Sequence, residues 1–445
     1  MKQLYKSKSN SSKLTAGALV LAIASAVYGQ DATQGTTNSP ATSANSAGTN
    51  APVAKPFFSL QGTDLHIGNL PPITFHGFAS QGYLGSTTYD YLGKSKDGSF
   101  EFSEFALNAS VSPFAHTTIS AQAFCFDVGN VGQYDVSLDY AMVDYNVCNE
   151  FGIRGGRIIR PEGIYNSIQS IDLARTSIIL PQGMYDARWR DFSASIDGGS
   201  LYGDIGLHKG GDVSYEVYGG MANLAPNGGI ARLLEDSLRN PPTQYLDVNG
   251  FPEAGIQLWW NTPVQGLRAG VFALYAFGVS YDYKLNIPPA FGGGGYHSVL
   301  NVPEEQFSLE YQWKSWTFQA EYRYEDLYSH NVINGITTTP TTHTAEDTWY
   351  VSAAYQANHW LQVGAYYTED YANVANRTGD GTAVPSDAYQ KDFALSFRFD
   401  PKPWWVIKLE GHAINGTALI ADGQNNPNRN GREWYMLALK TTVSF

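Results

Sequence analysis

Six arginines crowd one stretch of this chain. Arg154, Arg157, Arg160, Arg175, Arg188 and Arg190 fall within one short region, with Glu162 and Asp186 among them. A second set sits inside alternating apolar runs: Glu310, Glu321, Arg323, Arg398, Lys408 and Glu410. Residue types of both signs, embedded this way, suit charge rings around a water-filled path, which select solutes by sign. They do not suit catalysis. No Ser-His or Asp-His grouping supplies a nucleophile with a positioned base. The 9 histidines are scattered without tight metal spacing, so no metal or other cofactor is expected. The charges could equally do no more than satisfy one another across a lumen.

The elements that must hold these charges are strands. Trp434 to Phe445 shows the pattern at its clearest. Tyr435, Leu437, Leu439, Thr441, Val443 and Phe445 form one set of alternate positions, and Lys440 with the hydroxyls of Thr442 and Ser444 falls in the other. Successive side chains of a strand point to opposite faces, so one face is apolar with aromatic ends and the other is wet. A bare apolar edge strand invites aggregation, and barrel closure removes the edge. In the hairpin around Lys314-Ser315, Phe307, Leu309, Tyr311, Trp316, Phe318, Ala320 and Tyr322 form the apolar face. Ser308, Glu310, Gln312, Gln319, Glu321, Arg323 and Glu325 form the other. A dry soluble core would not hold that second set.

Sixteen such runs are expected, near 73–84, 99–111, 116–128, 135–147, 151–159, 198–208, 212–222, 253–261, 266–282, 305–313, 316–328, 346–356, 360–371, 390–399, 404–414 and 433–445. Short gaps alternate with long ones, as the short periplasmic turns and longer outer loops of transmembrane barrels do. The even strand count puts both ends of the barrel on the short-turn side. Tryptophans gather at those turns: Trp259, Trp260, Trp313, Trp316, Trp360, Trp404 and Trp405. That is the place of an interfacial girdle. The fold class is therefore all-β: a transmembrane antiparallel β-barrel of about 16 strands over residues 73–445.

Lys2, Lys6, Lys8 and Lys13 precede a weakly apolar run, Leu14 to Val27, and then small residues. This is the build of a secretory signal, here 1–29, with cleavage near Gly29 or, as a rival, Ala26. Residues 30–72 read as a low-complexity periplasmic linker, since the segment up to about 56 has almost no large apolar side chain. The formal charge of −13 becomes more acidic once the signal lysines are lost, which argues against nucleic acid as a partner. The 2 cysteines, Cys125 and Cys148, invite a disulfide in an oxidising compartment. Hairpin geometry instead places them at opposite ends of neighbouring strands.

The longest gap, 160–197, follows the fifth strand. It carries Arg160-Pro161-Glu162-Gly163, the apolar Ile178-Ile179-Leu180, and Arg188-Trp189-Arg190. Together with Gly152-Ile153-Arg154-Gly155-Gly156-Arg157, Asp197-Gly198-Gly199-Ser200 and a terminal Phe445, it resembles the bacterial outer-membrane porins of the sixteen-stranded type. The resemblance implies that this gap is the third external loop, folded inward as a constriction. It further implies passive diffusion of small hydrophilic solutes and ion transport, a homotrimer, and the outer membrane of a Gram-negative bacterium with its lipid as partner. Arginine enrichment around the loop suggests anionic solutes. Arg154 and Arg157 are three apart, so a regular strand would send them to opposite faces. A structural or adhesive barrel is the alternative, and an enzyme on the barrel rim is a weaker one.

Overall fold

The computed structural model describes residues 58–445, except 130, 225–227, 239–241, 421–425, 427 and 430. The expected signal segment 1–29 and residues 30–57 of the expected linker lie outside the described residues. Sixteen strands form the wall: β1 (Ile73–Ser86), β2 (Phe102–Phe114), β3 (Thr117–Val128), β4 (Val136–Cys148), β5 (Phe151–Ile159), β6 (Ser195–Gly206), β7 (Asp212–Ala222) and β8 (Phe251–Asn261), then β9 (Leu267–Leu285), β10 (Gly294–Trp313), β11 (Trp316–Ile333), β12 (Thr342–Asn358), β13 (Leu361–Tyr371), β14 (Tyr389–Lys402), β15 (Trp405–Gly416) and β16 (Glu433–Ser444). Each pairs antiparallel with the next. β16 then pairs with β1, from Met436 opposite Ser86 to Ser444 opposite Phe78. The seam ends where Phe445 and Gly77 exchange backbone hydrogen bonds of 3.0 and 3.2 Å. The barrel is closed and leaves no edge, with one strand at each of the sixteen expected positions.

Alternation sorts the side chains as the strand period requires. Tyr435, Leu437, Leu439 and Val443 are exposed on the outer surface, while Trp434, Met436, Ala438, Lys440 and Thr442 are buried inside. The same split runs through β10 and β11. Phe307, Leu309, Phe318 and Tyr322 face out, and Gln306, Ser308, Glu310 and Glu321 face in, buried. Trp260, Trp313, Trp316, Trp360 and Trp404 are exposed at the short-turn end. In the two-residue turn at Lys314, the residue takes a left-handed φ of 54°, which reverses the chain tightly enough to pair Trp313 with Trp316. Among the described residues no helix is long and apolar enough to cross a membrane.

The structure differs from expectation in three ways, two on the outer side and one at the short-turn end. First, β9 to β12 run 19, 20, 18 and 17 residues. A tilted strand crosses a bilayer in about 9–11 residues, so these ladders rise well past it. The expected loops 283–304 and 329–345 are therefore largely strand. Second, the gap 223–252 contains a helix, α2 (Gly229–Ser237), and a short strand, Thr243–Asn249, laid against the outer half of β9. Third, the last part of the expected linker is ordered: Phe58–Gln61 and Asp64–Ile67 form a hairpin that pairs onto the start of β1.

The barrel carries its apolar clusters inside. One gathers Phe78, Phe102, Phe124, Phe126, Trp434 and Met436 around Ile178 and Ile179 of the long loop. The other joins Ile158, Ile196, Tyr218, Phe251, Leu274 and Val302, with Ile230 and Leu234 of α2 against them. Both sit in the lumen.

Candidate functional site: a charged lumen and its inward loop

Residues 160–194, between β5 and β6, turn into the lumen. Ile178, Ile179 and Leu180 are the reason: each is 3% exposed or less, and burying such a side chain is worth roughly 1.5–3 kcal/mol. The loop must also satisfy its backbone away from bulk water. It does so with two 3-10 turns, Asn166–Ile168 and Asp172–Ala174, the short helix α1 (Arg190–Ser193), and charged side chains from the wall.

On the seam side the loop is held by Asp172. Its carboxylate accepts from Lys408 Nζ at 2.9 Å and Thr442 Oγ1 at 2.8 Å, and lies 3.5 Å from Lys440 Nζ. Lys440 also reaches Glu104 at 2.7 Å. Burial alone would raise the Asp172 carboxyl, but Lys408, Lys440 and Arg175 outweigh it and hold it well below the usual carboxylate range. Next to it, Glu410 accepts the backbone N–H groups of Ile178 and Ile179, both at 2.8 Å, and a hydrogen bond from Ser396. His412 bridges Glu410 at 3.0 Å and Asp392 at 2.8 Å. Arg398 donates to the carbonyls of Leu173 and Arg175.

On the opposite wall Glu321 plays the corresponding part. It accepts Ile164 N–H at 2.9 Å, Tyr350 O–H at 2.7 Å, Gln306 at 2.9 Å, and the hydroxyls of Tyr185 and Ser308. Burial, then the Glu321 charge, pushes the Tyr185 phenol well above its ordinary value, so it stays a donor. Arg323 donates to the carbonyls of Gly183 and Met184.

The arginines singled out from the sequence are all engaged. Arg160 pairs with Glu162 and, at 3.3 Å, with Glu253. Arg188 is clasped by Asp186 and donates to Leu419 O. Arg190 pairs with Asp139 at 3.1 Å and lies over the Phe124 ring. Arg175 donates to the carbonyls of Gln169 and Ile178. Arg154 binds Asp144 at 2.7 Å and Glu216 at 2.8 Å, close to the short-turn end and away from the loop. Glu310 holds Arg268 there as well, at 3.0 Å. Arg157 is placed differently. Pairing through β5 is regular, so Arg154 and Ile158 point in while Arg157 takes the opposite parity, paired with Asp197 at 3.2 Å. It lines a side cavity that Asp139, Arg190 and Ala194 also border.

Beyond the loop, toward the outer end, a cavity of about 390 Å³ remains. Seven carboxylates line it against three guanidiniums, those of Arg160, Arg188 and Arg323. Several of these acids were missing from the expected set. Glu304 lay one residue outside the expected strand 305–313. In the structure Pro303 is inside β10, and the ladder resumes with Glu304 opposite Glu325. Extending the alternation of Gln306, Ser308 and Glu310 backwards by one step would have found Glu304. His412, set aside as one of the scattered histidines, is fully buried between two acids, and its alternation with Lys408 and Glu410 carried that signal. Among the described residues no group of His, Cys, Asp and Glu is placed to hold a metal ion.

No protein-family model and no curated protein matches the chain. Solved structures do match. The outer membrane channel DcaP of Acinetobacter baumannii aligns at a TM-score of 0.51 with 10% identity, over 84% of this chain and 98% of that one. OmpF of Salmonella typhi, in a complex with daunomycin, aligns at 0.51 with 13% identity over 84% and 98%. A loop-deletion variant of OmpT, an outer membrane protein of Vibrio cholerae, aligns at 0.50 with 10% identity over 84% and 99%. At such identities the likeness is one of fold. The chain has the sixteen-stranded barrel of the bacterial outer-membrane porins.

Proposed function

We propose that the protein is an outer-membrane channel for passive diffusion of small hydrophilic solutes, with residues 160–194 as its constriction. The observation that carries this is a closed barrel, apolar outside and charged inside, whose longest loop is tied into the lumen yet leaves an open cavity beside it. A structural or adhesive barrel would favour a lumen filled throughout. The anion preference suggested by the arginine-rich loop loses its support, since every one of those arginines is matched by a carboxylate or by loop carbonyls. The carboxylate excess around the cavity supports selectivity weighted toward cations.

Reconstitution in planar bilayers tests the reading. Stepwise conductance is expected, and its absence at micromolar protein would sink the channel. Reversal potentials in a KCl gradient should show cation preference, reduced in a Glu304→Gln/Glu346→Gln variant and little changed in Arg188→Ala. Clear anion preference would reject the weighting. Assembly as a trimer is part of the proposal. It is supported by the small outward row of Gly155, Gly199 and Gly219, where an added side chain at Gly155 would meet nothing within 4 Å. Cross-linking in detergent micelles that yields only monomers would remove that part.

A further inference from the structure

The cavity above the loop has two unlike sides. One is apolar: Phe251, Leu274, Ala276 and Val302 from the wall, with Ile230 and Leu234 from α2 over them. The other is acidic. Glu304 lies directly opposite Glu325 on the next strand, and Glu325 directly opposite Glu346 on the one after. Acidic groups in direct cross-strand register repel one another when ionised, and of the three only Glu325 has an ion pair among the described residues. The Arg323 guanidinium stands 4.0 Å from Glu325 and donates to the loop carbonyls of Gly183 and Met184. Glu304 is only 6% exposed. Its Oε1 is a buried oxygen without a hydrogen-bond partner among the described residues, and it lines the cavity. A buried acceptor left this way is costly.

We infer that this outer cavity is a binding site for small organic cations that carry an apolar or aromatic body. The ammonium end meets the row of Glu304, Glu325 and Glu346, and the body lies against Leu274, Val302 and α2. Each competing ligand class leaves one side unmatched. An anion faces the acidic row, a bare inorganic cation leaves the apolar wall wet, and a neutral apolar molecule leaves the carboxylates without a partner. The volume falls within the roughly 300–1,000 Å³ usual for small-molecule sites. The inference deepens the channel reading by naming a solute class, but it concerns equilibrium binding and is measured apart from conduction.

The test is calorimetric titration of the full-length protein folded in detergent. The probe is 2-phenylethylammonium, with phenylacetate, 2-phenylethanol and ammonium chloride as comparisons. Saturable binding of 2-phenylethylammonium is expected, with each comparison about tenfold weaker or more. Glu304→Gln and Glu346→Gln should each weaken it severalfold, and Leu234→Ser should weaken it through the apolar side. All three variants are first checked for the heat-shifted gel mobility of the folded barrel. Equal binding of 2-phenylethanol or phenylacetate overturns the inference, as does unchanged affinity in both glutamine variants. Binding by a protein that is silent in bilayers would retain this site while removing the channel. Conduction without binding would do the reverse.

Discussion

The two halves of the lumen use the same strand parity for different ends. On the seam side, Asp172, Lys408, Lys440, Glu104, Glu410 and His412 are buried and matched, sign against sign. Across the barrel, Glu304, Glu325 and Glu346 stand in a row, and Arg323 lies 4.0 Å from the middle one. The loop makes the difference. Where its backbone and its own acid meet the wall, every charge finds a partner, because a charge buried without one costs several kcal/mol. At the outer cavity, an acceptor such as Glu304 Oε1 has no hydrogen-bond partner among the described residues and lies beside an apolar surface. Charge in a lumen thus holds the chain in one place and meets solute in another, and burial with pairing tells the two apart.

The matched half should be the more fragile to single changes. Asp172→Ala leaves Lys408 and Lys440 buried without their shared carboxylate, at about 3–5 kcal/mol. The variant is expected to lose heat-resistant gel mobility at lower temperature and to give noisier, larger conductance as the loop comes loose. Wild-type stability in this variant would mean that the seam-side network does not hold the loop. A smaller effect, about 1–3 kcal/mol, is expected for Glu321→Ala, which strands the hydroxyls of Tyr185 and Tyr350. Protease nicking within residues 160–194 of this variant, absent in the wild type, would check it.

Acid sharpens the same contrast. Because the Asp172 carboxyl is held below its ordinary value, its contribution is full above the unfolded pKa of about 3.9 and fades as pH falls toward the depressed one. The stability gap between wild type and Asp172→Asn, read by thermal gel shift, should therefore stay constant from about pH 7 to 5 and close only in stronger acid. A gap that closes near neutrality would contradict the pairing. The smallest effect is expected at the cysteines. Cys125 pairs opposite Val136, and Cys148 lies at the far end of the same β4, on the order of 40 Å away along the strand. Alkylation without reductant followed by mass spectrometry should recover no linked peptide.

Much of the wall was legible in the sequence, because a period of two is local. Lys440 and Thr442 could be sent inward, and Leu437 and Leu439 outward, from twelve residues alone. The site was less legible, because its pairings are not local. Nothing near Asp172 announces Lys408, and nothing near Ile178 announces Glu410. Their meeting depends on which strands the loop crosses. Arginine count misled partly for the same reason: Arg190 looks available until Asp139 is seen beside it. The outer extension of β9 to β12 was hidden by the prolines and glycines that interrupt residues 283–304 and by the threonine-rich, weakly alternating segment 329–345.

Asp172 touches Lys408 and Thr442, on the last two strands, and Lys440 carries the contact on to Glu104 of β2. The seam between β16 and β1 lies between those partners. One loop carboxylate therefore spans the junction that turns an open sheet into a cylinder. Zipping the final strand to the first and locking the loop in place are coupled steps of biogenesis, each favouring the other. A barrel caught before closure would lack both its last row of hydrogen bonds and the cations that hold its constriction.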